Sequence, residues 1–415
     1  MLFYTVAVEA PPEPRPPKRQ ALDSLRRRWL LTLLIYAACL LGGHQLLADV
    51  WRPSQALWWV GWAGLAMVVE LVVLWRVLPH NHPPDSPILL PTFGYGTILT
   101  LLCGLLLFLL AGFLFAPPLP GLLAWLPALL YTVARMVDYV DGYVARITHH
   151  ETKLGGILDM EFDGLGVLIA VLIGIQYGKL PLWYLPLALS RQLFLLGLWL
   201  RRRRGMAVYE MTPSGNRRII AGFQTGFISV MLWPIFTPPL TTLAATLFAL
   251  PLLASFLRDW LVVSGALDPA SPRYIRGRAW IKNSIEGWLP LACRLVGTVM
   301  AVLILGQELP DFSGWQAYWG EGGGDAPGGL FWGISILALA ALPFFLLGIV
   351  GRLAGLMLVA LACMDIIAAG LHWGDNAWLF IAAAVVAHAG SGHLALWRPE
   401  DPILHRRPGE REPTT

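Results

Sequence analysis

The stretch that decides the reading is Asp138-Tyr139-Val140-Asp141-Gly142-Tyr143-Val144-Ala145-Arg146, followed after eight residues by Gly155-Gly156-Ile157-Leu158-Asp159-Met160-Glu161-Phe162-Asp163. Asp138 and Asp141 stand at i, i+3, and Ala145 and Arg146 follow Asp141 and Gly142 by four, so all project from one side of a helix. Asp159 and Asp163, at i, i+4, share a face of the next helix, while Glu161 between them turns away at about 100° per residue. Two such helices side by side point four carboxylates at one place, where like charges repel. A hard divalent cation, Mg²⁺ or Mn²⁺, relieves that repulsion and prefers oxygen ligands. Gly142 lets a ligand approach the backbone, and Arg146 is a ready partner for phosphate. Acids, a metal and an arginine are the parts that phosphoryl transfer uses. Acid pairs on helices are usually solvated faces, but this set lies among apolar segments, where an unpaired buried charge is expensive.

Composition places the chain in a membrane. Of its 415 residues, 56% are hydrophobic and only 13% charged, about half the charged share of a soluble domain. Nineteen Trp suit the aromatic belts at the two interfaces. The four cysteines, Cys39, Cys103, Cys293 and Cys363, lie far apart without a CxxC pair and read as small core residues. Apolar stretches long enough to span fall near 29–48, 55–78, 93–116, 121–140, 157–177, 180–200, 218–237, 241–265, 286–306, 329–350, 352–371 and 376–397, which makes twelve. The first starts near Trp29, is longer than a signal core and reads as an anchor.

Basic residues mark one side of these spans. Arg26, Arg27 and Arg28 precede the first, Arg201 to Arg204 with Arg217 and Arg218 follow the sixth, Arg273, Arg276, Arg278 and Lys282 follow the eighth, and Arg398, Arg406, Arg407 and Arg411 follow the last. The opposite loops hold only Arg52 and Lys179 as cations. The positive-inside bias puts both termini and the Asp138–Asp163 segment on the cytoplasmic side of an inner or plasma membrane. Because the cations flank membrane segments, nucleic-acid binding has no support. Arg201–Arg204 reads as a topology anchor and lipid-headgroup contact.

The pattern D-x-x-D-G-x-x-A-R-(x8)-G-x-x-x-D-x-x-x-D resembles the signature of the CDP-alcohol phosphotransferases at every fixed position. The resemblance implies an all-α polytopic membrane protein with a six-helix core that displaces CMP from a CDP-linked donor with the hydroxyl of an alcohol. It further implies that Asp138, Asp141, Asp159 and Asp163 hold one or two Mg²⁺ or Mn²⁺ ions, and that Asp138, Gly142, Ala145, Arg146 and Gly155 contact the CDP moiety. Asp163 would be the general base. The implied donor is CDP-diacylglycerol, and the implied acceptor an alcohol or alcohol phosphate, within phospholipid biosynthesis. Family members often form homodimers.

Other segments echo the family less closely. Ser190-Arg191-Gln192 puts an arginine on the fourth core helix, where relatives often carry one, and an internal ion pair is its rival reading. Arg218-x-x-Ala221-x-x-Gln224 resembles a Lys-x-x-Thr-x-x-Gln element with two of three positions altered. Arg191, Arg218 and Gln224 are thus candidates for the acceptor site, the two arginines favouring a phosphorylated acceptor. Thr97-x-x-Thr100-x-x-Cys103 stands where many members show Asn-x-x-Thr-x-x-Arg, so an arginine is missing from the first core helix.

The expected organisation is a flexible tail at 1–28, two added membrane helices at 29–90, the core at 91–266, a basic linker at 267–285, a four-helix membrane bundle at 286–397 and a tail at 398–415. Glu70, in the second span, is expected to pair with a core arginine. The segment Gly390-Ser391-Gly392-His393-Leu394-Ala395-Leu396 faintly resembles the end of DoxX-like four-helix membrane proteins, and Asp365, His372 and His388 are either a small polar site or satisfied intramembrane groups. Two rival functions remain: a transporter, which expects related halves and broken helices, and a non-catalytic membrane scaffold that keeps the metal and nucleotide motif.

Overall fold

A computed structural model describes residues 18–148, 150–210, 216–307, 312–321 and 327–399. Among these the chain is helical, with no strand beyond one isolated bridge between Ile349 and Trp397. It forms two compact units, residues 1–170 and 171–415.

The first unit contains α1 (Lys18–Ala48), α2 (Pro53–Val77), α3 (Tyr95–Ala111), α4 (Leu126–Ile147) and most of α5 (Lys153–Gln176). Helix α1 begins ten residues before the expected end of the tail at residue 28, so 18–28 are not a flexible tail. The reason is local: Ala21 and Leu25 are fully buried on one face, and Arg26, Arg27 and Arg28, which follow, are good helix formers. Residues 1–17, where the rest of that tail falls, lie outside the described residues.

Small residues on α3 set the packing that builds the site. A Cβ on Gly96 would stand 2.6 Å from the Ala145 Cβ, and one on Gly104 would stand 2.7 Å from both Glu70 Oε2 and the Phe162 ring. Such residues let membrane helices approach closely. Gly96 meets Ala145, Thr100 meets Asp141 and Cys103 meets Arg135, so α3 and α4 are antiparallel. Thr97 meets Gly155, Gly104 meets Phe162 and Leu107 meets Gly166, so α5 runs parallel to α3. Glu70 does not pair with an arginine: it is 2% exposed and neither carboxylate oxygen has a hydrogen-bond partner. It packs instead at the α3 glycine, on the side of α3 turned toward α2 and α5.

The second unit contains α6 (Leu185–Ala188), α7 (Ser190–Arg203), α8 (Asn216–Met231), α9 (Leu240–Val263), α10 (Pro272–Asn283), α11 (Leu289–Gln307), α12 (Phe312–Glu321), α13 (Gly328–Leu347), α14 (Gly351–Ala369) and α15 (Asn376–Ala389). A five-residue π-turn at Ser284–Trp288 joins α10 to α11, so the expected linker is itself helical. Helices α11, α13, α14 and α15 pack on one another, with α12 against α14. Asp365 accepts from Asn376 Nδ2 at 2.8 Å and is a satisfied intramembrane group.

Seven of the twelve expected spans are helices long and apolar enough to cross a membrane, among the described residues. The others fall short for physical reasons. Helices α3, α8 and α15 have shorter apolar runs, α5 carries the motif acids, and the sixth stretch is interrupted at Leu189 between α6 and α7.

Candidate active site

Three carboxylates converge. Asp138 and Asp141 on α4 and Asp159 on α5 each offer an oxygen within 4.8 Å of the others. Asp141 is 5% exposed, and the Thr100 hydroxyl of α3 donates to its Oδ2 at 2.6 Å. Thr100 thus fixes one carboxylate of the cluster from behind, leaving its other oxygen for a ligand. Glu161 is exposed, as its helical phase required.

Asp163 stands apart from the trio. It accepts a hydrogen bond from Arg135 Nη1, and the same nitrogen lies 3.5 Å from Asp138 Oδ2. Arg135 Nη2 lies 3.2 Å from Cys103 Sγ, and the guanidinium sits 5.6 Å from the Tyr131 ring centroid. The arginine side chain is 8% exposed, against 50% for Asp163. Gly166 on α5 lets Leu107 of α3 approach, since a Cβ there would lie 2.9 Å from the leucine Cδ2. The sequence reading missed Arg135. Its signal was available, because Arg135 and Asp138 are at i, i+3 on α4. The arginine absent from α3 at Cys103 is therefore matched by one from α4 whose guanidinium reaches that cysteine.

The remaining motif residues have distinct places. A Cβ on Gly142 would meet only Arg146 Nη1, at 3.4 Å, so the backbone there is open apart from an exposed guanidinium. Ala145 packs its methyl toward Gly96, as described above. The Gly155 amide donates to Thr152 Oγ1 at 3.1 Å, closing the first turn of α5. Arg191 is half-buried in the first turn of α7. Gln224 on α8 is buried, with no hydrogen-bond partner on Oε1. The side chain of Arg218 lies outside the described residues.

The donor set fits a divalent metal. Among the described residues, three acids within 4.8 Å of one another have the guanidinium of Arg135 at their edge, 3.5 Å from Asp138. All-oxygen ligation is what Mg²⁺ and Mn²⁺ take.

Fold and site together define a polytopic membrane protein with an acidic centre within its helices. Residues 90–265 match the model of the CDP-alcohol phosphatidyltransferase family. The chain is similar to a CDP-diacylglycerol–glycerol-3-phosphate 3-phosphatidyltransferase of Bacillus subtilis, 37% identical over 71 residues, or 17% of this chain and 37% of that one. A protein of the same description from Cereibacter sphaeroides is 35% identical over 77 residues, 18% of this chain and 35% of that one. A putative cardiolipin synthase of Mycobacterium bovis is 31% identical over 100 residues, covering 23% and 46%. The chain thus spans less than half the length of each of these relatives. No solved structure matches it.

Proposed function

We propose that this protein is a membrane phosphotransferase that moves a phosphatidyl group from CDP-diacylglycerol to an alcohol acceptor with release of CMP. The observation that carries the reading is the convergence of Asp138, Asp141 and Asp159 inside the segment that matches the family. Mg²⁺ or Mn²⁺, in one or two ions held by these carboxylates with Asp163 beside them, would supply charge neutralisation at the pyrophosphate.

The chain's own groups supply positioning and proton transfer. Gly142 leaves room for the donor along α4, and exposed Arg146 faces the anionic pyrophosphate. The acceptor oxygen forms the new bond to the phosphorus that carries the lipid. The bond from that phosphorus to the bridging oxygen breaks, and CMP leaves with the electron pair. Asp163 takes the acceptor's proton, and Arg135 holds that carboxylate in orientation. A base must lie within hydrogen-bond reach of the proton it removes, and the exposed half of the Asp163 side chain provides that access. Arg191, Arg218 and Gln224 belong to acceptor recognition in this reading, and the relatives' names favour a glycerol-phosphate type of acceptor. The site opens to the cytoplasm, where the arginine bias of the loops also puts both termini. The helices at 29–90 and 286–397 flank the core, and the assembly is a homodimer.

The test is CMP release by the purified protein from CDP-diacylglycerol with Mg²⁺ or Mn²⁺, against glycerol 3-phosphate, phosphatidylglycerol, inositol phosphate and serine. Metal-dependent release with one acceptor, lost in Asp163→Asn while the fold persists, supports the reading. Release that is indifferent to Asp163→Asn refutes the assigned base, and no release with any acceptor refutes the donor.

A further inference from the structure

The second unit holds a cavity of about 720 Å³ whose residues take no part in the chemistry above. Its floor is built with care. The π-turn at Ser284–Trp288 widens the helix where it meets the segment after α15, and π-turns of this kind cluster at functional sites. There the chain turns through Gly390 (φ 93°) and Gly392 (φ 68°). The His393 amide donates to the Gly287 carbonyl at 3.0 Å, its Nε2 lies 3.0 Å from Asn283 Oδ1, and its ring sits 5.1 Å from that of Trp288. A Cβ on Gly287 would fall 2.4 Å from His393 Nε2, and one on Gly392 2.3 Å from the Gly287 carbonyl oxygen, so the two backbones meet only as glycines. Arg294 then ties the turn down, donating to the carbonyls of Ser391 at 2.8 Å and His393 at 2.9 Å.

The chemistry of the cavity is cationic. Lys282, Arg352 and Arg398 line it, against the single carboxylate of Glu286. Arg352 is 8% exposed and is aligned by its Nη1 bonds to the carbonyls of Ala387 at 3.0 Å and His388 at 2.5 Å. On another side, Ile220, Pro251 and Ile285 give an apolar wall. Such cations fit phosphate oxygens, and an apolar wall beside them fits a glycerol backbone and acyl chain.

We infer that this cavity binds the phosphate group of an anionic ligand, with Lys282, Arg352 and Arg398 neutralising it. The inference stands apart from the phosphotransferase reading. A phospholipid headgroup and a free phosphate share this chemistry, and the experiment separates them. Native mass spectrometry of the purified full-length protein in detergent would follow binding of dioleoylphosphatidylglycerol against zwitterionic dioleoylphosphatidylcholine. Thermal shift with inorganic phosphate would follow the soluble source. The exposed pair Lys282→Glu/Arg398→Glu is the test variant, and Arg26→Glu/Arg27→Glu on α1 the control for diffuse attraction.

Expected is phosphatidylglycerol binding that weakens at least about tenfold in the Lys282/Arg398 variant and is unchanged in the α1 control, since one lost charge-assisted contact amounts to roughly that factor. A phosphate-induced stabilisation lost in the same variant, without lipid adducts, assigns the site to a soluble phosphate compound. Neither signal, or equal losses in the α1 control, overturns the assignment.

Discussion

Replacing Arg135 by lysine tests the centre of the reading, because it keeps the charge and removes the fork. In the native arrangement Nη1 serves Asp163 and lies 3.5 Å from Asp138, while Nη2 reaches Cys103 at 3.2 Å. A lysine ammonium is a single point donor on a flexible stem and cannot hold these groups in one plane. The Asp138 and Cys103 contacts are long, and Asp163 is half exposed, so their loss is discounted for solvent screening to about 1 kcal/mol of stability. The catalytic effect exceeds the stability effect, because an orientation error of about 1 Å at a reacting group reduces rate by roughly a hundredfold. Expected for Arg135→Lys is therefore a fall in kcat of about 10- to 100-fold, with KM for CDP-diacylglycerol within about threefold. The assay is CMP release across donor concentrations and across a Mn²⁺ titration, with Tm recorded for each protein. A folding defect would lower the active fraction together with Tm, while misorientation of Asp163 lowers kcat at nearly constant Tm. A kcat within twofold of the native value in a folded variant would refute the role given to Arg135. Placing the arginine on α3 in the double variant Cys103→Arg/Arg135→Ala should recover part of what Arg135→Ala loses.

Thr100→Val removes the hydroxyl that holds Asp141, and the Mn²⁺ concentration for half-maximal activity should rise about tenfold, the usual effect of losing a partner behind a metal ligand; an unchanged metal titration would show that Asp141 needs no such support. Gly96→Val puts side-chain atoms where a Cβ already stands 2.6 Å from Ala145 and 2.9 Å from the Asp141 carbonyl, so unfolding should be easier by about 1–3 kcal/mol, with partial recovery when Ala145→Gly is added. Lys179, in the loop after α5, is 8% exposed and donates to the carbonyls of Trp233 at 2.6 Å and Phe236 at 2.7 Å, and burial pushes it down from 10.5 to about 8. The unfolded chain then binds more protons between about pH 8 and 10.5, so this residue makes stability rise with pH through that window. Thermal unfolding of the native protein and Lys179→Met from pH 7 to 10 should show that slope in the native protein alone.

The acidic trio was legible because helical spacing is a short-range property: Asp138, Asp141 and Asp159 can be put on shared faces without knowing how helices pack. Arg135 sat at the same spacing, one turn before Asp138, and its partners were hidden because they come from α3 and α5. The register that brings Cys103 to Arg135 depends on glycines at 96, 104 and 166, whose meaning appears only once three helices are in contact. Glu70 shows the reverse failure. Charge complementarity alone proposed an arginine partner, but the α2 phase sets its carboxylate at Gly104 instead. The interruption at Leu189 could not be read from hydropathy, which treats 180–200 as one apolar run. The helix at 18–28 was missed because its charged residues mask the burial of Ala21 and Leu25.

Arg135 also bears on how the chain reaches the bilayer at all. A helix entering from the translocon carries its polar groups before any neighbour has arrived, and each arginine or aspartate near its centre opposes insertion by about 2.5–3.5 kcal/mol. Helix α4 brings Arg135, Asp138 and Asp141 together. With the arginine on α3, the acids of α4 would meet the lipid unaccompanied and wait for a partner from another segment. With it one turn from Asp138, the helix carries a counter-ion of its own, and the pair can form while α4 is still alone. A guanidinium carried on the acidic helix itself thus makes its biogenesis less dependent on the order in which its neighbours assemble.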